Sequence, residues 1–319
     1  MSDDRPLVVI ADAIDAEAIQ TLQRGECRVL DLSGAPAKLE TELPAAWGLI
    51  VRSRTKVTAD LLAKAPRLRI VARAGVGVDN VDMAAATARG IQVVNAPTAA
   101  TTSVAELTLA LYLLLVRDLV GPIVETRAGS WKRGTHGHEL EGRTIGFIGY
   151  GRIAREVARR ARAFGMRTVA YDPLLTGTPD DGTPLRTLDE LLGACDLLSI
   201  HAALTPENHH LISAPQLARM RRGSFLVNVA RGALVDEVAL VEALRSEQLA
   251  GAALDVFEVE PPTRQELLSN PRVIPTPHLG ASTHEAQSRA GAQVVEEMLR
   301  ALRREPLRFQ VNREVAPVP

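Results

Sequence analysis

The sequence predicts an α/β protein with two doubly wound parallel-sheet domains. Three observations point there. Short apolar strand patterns alternate with helix-length segments along the chain, which is the signature of parallel sheets crossed by helices. One of these strands runs into a glycine turn and a helix, at Thr144–Ala154. The 319 residues are enough for two hydrophobic cores.

The elements follow in order. Leu7-Val8-Val9-Ile10-Ala11 reads as a buried strand, with a helix after it from about Ala16 to Arg24. Gly48–Arg52 and Arg69–Arg73 are the next strands, the latter ending at Ala74-Gly75-Val76-Gly77. A helix near Met83–Arg89 and the strand Ile91–Val94 complete a first domain. A long helix, about Ser103–Leu119, is the natural connector to the second. Beyond the Gly146 strand, a helix covers Ile153–Phe164, and strands are expected at Thr168–Tyr171, Leu197–Ile200, Phe225–Asn228, Gly251–Asp255 and Val273–Pro275. Ser282-Thr283-His284-Glu285 has the S-x-x-E form of a capping box and predicts the start of a last helix reaching about Arg304. No repeat or low-complexity linker is visible, so the two domains are expected to share a close interface.

The glycine turn carries the clearest chemistry. Gly149 permits a tight turn, and Gly151 lets phosphates approach the backbone. The helix that opens next, at Arg152 and Ile153, offers unpaired N–H groups and the positive end of its dipole to an anion. Ala154 is small enough for helix and strand to pack closely. Asp172, 23 residues after Gly149, ends the second strand near the spacing of a carboxylate that binds an adenosine ribose. Pro173, Leu174 and Leu175 follow, with no arginine for a 2′-phosphate. The turn therefore predicts a dinucleotide site that takes NAD rather than NADP.

Composition narrows the remaining classes. A formal net charge of −1 gives no nucleic-acid footprint. The polar start Met1–Arg5 has no signal-peptide stretch, and the longest apolar run, Leu107–Val116, is too short to span a bilayer. Cys27 and Cys195 are isolated and lack metal spacing, so no metal site is expected and a reducing cytoplasm fits.

Several segments together resemble the D-2-hydroxyacid dehydrogenase family, and within it the phosphoglycerate-oxidising branch. They are Val51–Thr58, Arg73–Asp82, Gly149–Ile153, Asn228–Glu237, Gly251–Pro262 and Thr276–Thr283. The resemblance covers nearly the whole chain. It implies a flavodoxin-like substrate domain, residues 1–98 and 286–319, interrupted by a Rossmann NAD domain, residues 99–285. It also implies a homodimer and a small 2-hydroxy acid substrate.

By the same resemblance the catalytic residues are Arg231, Glu260 and His278. Hydride transfer from a 2-hydroxy acid needs a cation for the carboxylate or carbonyl oxygen, a general base for the hydroxyl proton, and a group that orients that base. Arginine, histidine and glutamate suit these roles in that order. Arg231 and His278 each follow an apolar strand closely, where ligands collect in open α/β sheets. Pro261 and Pro262 stiffen the loop that carries Glu260. The resemblance adds His201, Thr205, Ala230, Asp255 and Gly280 as cofactor contacts, Asp255 at the nicotinamide carboxamide. Arg73 is carried over as a substrate contact, and the N–H groups of Val76 and Gly77 form a candidate nest for the substrate carboxylate.

Arg52, Arg54 and Lys56 alternate. They suit either a phosphate dianion or a solvated strand edge. The resemblance places Arg52 and Arg54 at phosphate-binding positions and suggests that Arg133 reaches a neighbouring subunit. Two departures stand out. Ala100 occupies a position where that branch usually has asparagine, which leaves hydroxypyruvate or glyoxylate open as substrates. Ala203 replaces a usual proline beside the cofactor. No serine-sensing domain is expected after Pro319. A non-enzymatic NAD-sensing scaffold is the remaining alternative; it would need partner-binding tails, which the sequence does not display.

Overall fold

The computed structural model describes residues 5–132 and 136–316. The chain divides into two compact units, residues 1–100 with 281–319, and residues 101–280.

The first unit holds β1 (Leu7–Ile10), α1 (Ala16–Gln23), β2 (Arg28–Asp31), α2 (Leu39–Glu42), β3 (Gly48–Val51), α3 (Ala59–Ala63), β4 (Ile70–Arg73), α4 (Met83–Ala88) and β5 (Gln92–Asn95), joined by the C-terminal helix His284–Leu302. Its sheet is parallel, in the order β2-β1-β3-β4-β5. This is the flavodoxin-like doubly wound order. The Val, Ile and Leu residues of β1 and β3 are buried on both faces, as central parallel strands require. Strand β2 was not predicted, because Arg28-Val29-Leu30-Asp31 at the sheet edge is half exposed with charged ends. The C-terminal helix packs on β4, β5 and α1. Residues beyond it return to β5 in antiparallel sense: Asn95 N–H donates to Phe309 O (3.3 Å) and Val311 N–H to Val93 O (2.8 Å). Buried Asn312 accepts from Val93 N–H and donates to Ile91 O. The far edge of the sheet is thus covered rather than left to pair with another chain.

The second unit holds α5 (Thr101–Val116), α6 (Val120–Arg127), β6 (Thr144–Ile148), α7 (Arg152–Ala163), β7 (Arg167–Tyr171), α8 (Leu188–Ala194), β8 (Leu197–Ile200), α9 (Ala214–Arg219), β9 (Ser224–Asn228), α10 (Glu237–Arg245), β10 (Leu249–Leu254), α11 (Gln265–Leu268) and β11 (Val273–Pro275). All its strands are parallel, in the order β11-β10-β9-β8-β6-β7. A parallel bridge between Ala170 and Leu185 extends the β7 edge by one further residue pair. Counting Leu185 as the third strand gives the dinucleotide-binding order 3-2-1-4-5-6, with β11 added outside. Helices cover both faces. A side chain at Gly146 would meet Cys195 and Leu191 of the α8 region, whereas one at Gly251 would meet Leu115 of α5.

Two expectations are corrected here. The last helix is capped by Thr283, whose hydroxyl accepts from Ala286 N–H at 3.2 Å, and not by a Ser282–Glu285 box. The helix begins one residue later than that motif requires, which puts Ala286 where the box needs a glutamate. The long helix α5 begins the second unit and packs on α7, β9 and β10 within it, but its end differs from the expected Leu119. It stops at Val116, three residues early, because Asp118 adopts a left-handed conformation (φ 46°) before α6 departs at 74°. Among the described residues no single helix is long and apolar enough to cross a membrane.

Asp12 organises the loop after β3. Its buried carboxylate accepts from the N–H groups of Arg52 (2.7 Å) and Thr55 (3.1 Å), the Thr55 hydroxyl (2.7 Å) and Arg54 Nε (3.1 Å). Burial pushes its pKa up, but these donors outweigh it and hold the carboxyl below its ordinary value. Replacing Asp12 with alanine would remove the buried acceptor that these half-buried and exposed donors share. The expected cost is about 2–4 kcal/mol of unfolding free energy, measured by denaturant titration.

Candidate active site

In a parallel sheet every strand ends at the same edge. In the second unit that edge gathers the turns after all its named strands: Gly149 after β6, Asp172 after β7, His201 after β8, Arg231 after β9, Asp255 after β10 and His278 after β11. This is where open α/β sheets bind ligands.

The glycine turn is held by its neighbours. Gly149 has φ +78°, and a Cβ there would stand 2.8 Å from the backbone of Ala202, so only glycine fits. Its N–H donates to Tyr171 O at 2.9 Å. Gly151 begins α7 without a side-chain cap, and the space beside its Cα is open. The start of α7, at Arg152 and the half-buried Ile153, therefore turns the positive end of the helix toward this open space, where an anion is stabilised. Asp172 accepts from Tyr150 N–H (2.8 Å) and Leu174 N–H (2.9 Å), fixing its carboxylate beside the turn. These features fit a dinucleotide: a cradle without side chains, a helix N-terminus and a carboxylate at the neighbouring strand end. Tyr150, which sequence reasoning left unassigned, is fully buried. Its hydroxyl meets Asp181 and Thr183, each at 2.6 Å, and burial lifts its pKa to about 12.

His201 stands beside this turn, its Nε2 2.7 Å from the Ser199 hydroxyl and its ring 6.0 Å from that of Phe147. Thr205 starts a short 3-10 turn and is exposed, and Ala230 is half buried, its N–H donating to Asn228 Oδ1 at 3.0 Å.

The structure brings Glu260 and His278 into direct contact: His278 Nδ1 lies 2.9 Å from Glu260 Oε2. Both side chains are about half exposed (51% and 41%), so the pair contributes only ~0–1 kcal/mol to stability. Its effect is to orient the ring. Glu260 is held in turn by Phe257 N–H at 3.3 Å. Phe257, Glu260, Pro261, Pro262 and residues 275–278 surround a depression of about 520 Å³.

His278 has a left-handed backbone (φ 55°), a strained conformation for histidine that its neighbours must impose. Buried Asp255 does so. Its Oδ1 accepts from the Thr276 hydroxyl (2.6 Å) and Leu279 N–H (2.7 Å), and its Oδ2 from Gly280 N–H (2.8 Å). Asn228, another residue missed from sequence, shapes the Arg231 turn by donating to Arg231 O at 2.8 Å. Arg231 Nη1 donates to Ala230 O at 2.7 Å. A Cβ on Gly232 would overlap the Phe257 carbonyl carbon, so the Arg231 turn lies directly against the loop that carries Glu260. Among the described residues no cluster of His, Cys, Asp or Glu could hold a metal ion.

The other candidates belong to the first unit. Arg54 donates from Nη2 to Ala11 O (2.7 Å) and Ser33 O (3.0 Å) as well as to Asp12, with about half of its side chain exposed. Arg52 Nη1 donates to Ala13 O at 3.2 Å, and Lys56 is exposed. Arg73 folds back over Gly75, leaving no room for a Cβ there. Val76 O accepts from Asn95 Nδ2 at 2.6 Å, and Val76 and Gly77 are half buried. Ala100 is buried. Arg133 lies outside the described residues.

Fold and strand-end turns together define a class, the NAD-binding oxidoreductases. The D-isomer specific 2-hydroxyacid dehydrogenase, NAD binding domain matches residues 109–280, and this chain belongs to that dehydrogenase family. It is 43% identical over 309 residues to the D-3-phosphoglycerate dehydrogenase of Bacillus subtilis, covering 96% of this chain and 58% of that protein. It is 43% identical over 306 residues to the hydroxypyruvate reductase of Thermotoga maritima, covering 92% and 98%. Among solved structures it resembles a glyoxylate reductase from Paecilomyes thermophila, with TM-score 0.87, 31% identity and coverage of 98% and 99%.

The surroundings of His201 carry a pH dependence. Burial lowers its pKa from 6.5 to about 3. Between these values the unfolded chain binds the extra proton, so acidification through this window favours unfolding. Stability measured by denaturant titration at successive pH values should fall less steeply below pH 6.5 in His201→Asn than in the wild-type protein.

Proposed function

We propose that this chain oxidises 3-phospho-D-glycerate to 3-phosphohydroxypyruvate with NAD, the entry step of serine synthesis, acting as a cytoplasmic homodimer. The observation that carries the catalytic reading is the Glu260–His278 contact at 2.9 Å. With Nδ1 committed to the carboxylate, Nε2 is the nitrogen left to take the substrate hydroxyl proton. Arg231 holds the carboxylate or carbonyl oxygen of the substrate, and Val76 and Gly77 offer main-chain N–H groups to the carboxylate. Gly149, Gly151, Arg152 and Ile153 hold the cofactor pyrophosphate, and Asp172 the ribose. His201, Thr205, Ala230, Asp255 and Gly280 line the rest of that site. When bound, NAD supplies the acceptor for the hydride leaving C2, and the hydroxyl proton goes to His278 as the carbonyl forms.

Arg52, Arg54 and Arg73 are assigned to substrate binding in this reading, with Arg52 and Arg54 on the phosphate, supported by the likeness to D-3-phosphoglycerate dehydrogenases. Arg133 is proposed to reach the partner subunit's site. A second reading, reduction of hydroxypyruvate or glyoxylate, is favoured by buried Ala100 and by the existing engagement of the Arg54 guanidinium with Asp12, Ala11 and Ser33.

Steady-state NADH production from 3-phospho-D-glycerate, run beside NADH consumption with hydroxypyruvate and glyoxylate, separates the two. Preference for the phosphorylated acid is expected; preference for the small acids would move the chain to the second reading. His278→Ala should lower kcat by about 10²–10⁴-fold while NADH still binds by fluorescence, and near-normal turnover would remove His278 from its role. Arg54→Ala should harm the phosphorylated substrate far more than hydroxypyruvate, and equal losses would end the phosphate assignment.

A further inference from the structure

Outside the proposed reacting groups, two glutamates make an unusual reciprocal pair. Glu237 N–H donates to Glu258 Oε1 at 2.9 Å, and Glu258 N–H donates to Glu237 Oε1 at 2.8 Å. Each carboxylate thus satisfies the other's main chain. Glu237 is the first residue of α10, and the N-cap, Asp236, already serves Val238 and Ala239. The Glu258 carboxylate therefore takes a helix N–H that the cap leaves unpaired, at the positive end of the helix. Arg264 Nε donates to Glu237 Oε2 at 3.4 Å, and His210 Nε2 lies 3.2 Å from Glu258 Oε1 without a hydrogen bond to it.

The pair joins two loops at the strand ends, and His210 lies beside it from a third. His210 belongs to the loop after β8 and is tied to the next loop through its N–H, which donates to Ala233 O at 2.8 Å. Glu237 closes the loop that starts at Arg231. Glu258 sits two residues before Glu260, in the loop after β10. We infer that Glu237 and Glu258 form a positioning clamp that sets the distance from Glu260 to His278; this rests on the catalytic reading above. The loop is anchored behind by Asp255. Phe257, buried against Gly232, fixes the start of the segment that delivers Glu260; without the clamp, the stretch between Phe257 and the two prolines would lose its main-chain anchor at Glu258. A hydrogen bond of 2.9 Å does not survive a displacement of ~1 Å, and misplacement on that scale can cost about 10²-fold in rate.

The test is the tautomer of His278, read by ¹⁵N–¹H correlation of histidine-labelled full-length protein and assigned with His278→Gln. The wild type should show the Nδ1–H form that donates to Glu260, and Glu260→Ala a mixture of tautomers. Glu237→Ala should give the same mixture, with kcat reduced about 10- to 100-fold and NADH affinity little changed. Glu237→Gln keeps an oxygen for the Glu258 N–H and should restore both the tautomer and most of kcat. Glu258→Ala, at a more exposed position, repeats the comparison from the other side of the pair should Glu237→Ala fold poorly. A wild-type tautomer in both alanine variants, or a glutamine variant as impaired as the alanine one, overturns the clamp and leaves the catalytic reading standing. Normal turnover in His278→Ala overturns the function on which the clamp rests.

Discussion

The site depends on one buried carboxylate. Asp255 ends a central strand where the core closes, and both of its oxygens are spent on the loop 276–280. A buried charge is tolerated only when its hydrogen bonds are made, and here the bonds double as geometry. They force a chain reversal in which His278 takes a left-handed backbone, and that reversal presents the imidazole to Glu260. Asn228, one strand over, does the same for the Arg231 turn with a neutral amide. The sheet fixes where the strands end, and these polar side chains fix where the loops go next.

The glycine turn follows a different rule. Its geometry rests on close approach rather than on polar braces. Gly149 touches the backbone after β8, and Gly232 touches the backbone after β10. At both places two loops share a space that one methyl group would fill. Asp172 is committed to the Tyr150 N–H, so the carboxylate proposed for the ribose also holds the glycine turn in register.

Much of the fold was legible in the sequence because central parallel strands must be apolar on both faces. β1, β3, β6 and β8 announce themselves that way. β2 does not, since an edge strand with Arg28 and Asp31 at its ends carries no such pattern. Helix ends were less readable. Ser282 and Thr283 are both good caps, and the helix uses the second. The glycine turn and Asp172 were readable because their chemistry is local. The pairing of Glu260 with His278 came from family resemblance, and Asp255, Asn228 and the Glu237–Glu258 pair act over separations of two to 25 residues through bonds to main chain. Nothing in composition or periodicity records such bonds.

The closure of the first unit by residues 284–315 bears on how the chain is made. Residues 101–280 form a continuous stretch with their own core, and domains generally fold as units during synthesis. The sheet of β1 to β5 is synthesised first but waits for its covering helix and for Asn312, more than 200 residues later in the chain. Until then the β5 edge is unpaired and the buried face of β4 is bare, the condition in which nascent chains associate wrongly. The first unit thus reaches its covered form only after the whole of the unit it encloses in sequence has been made.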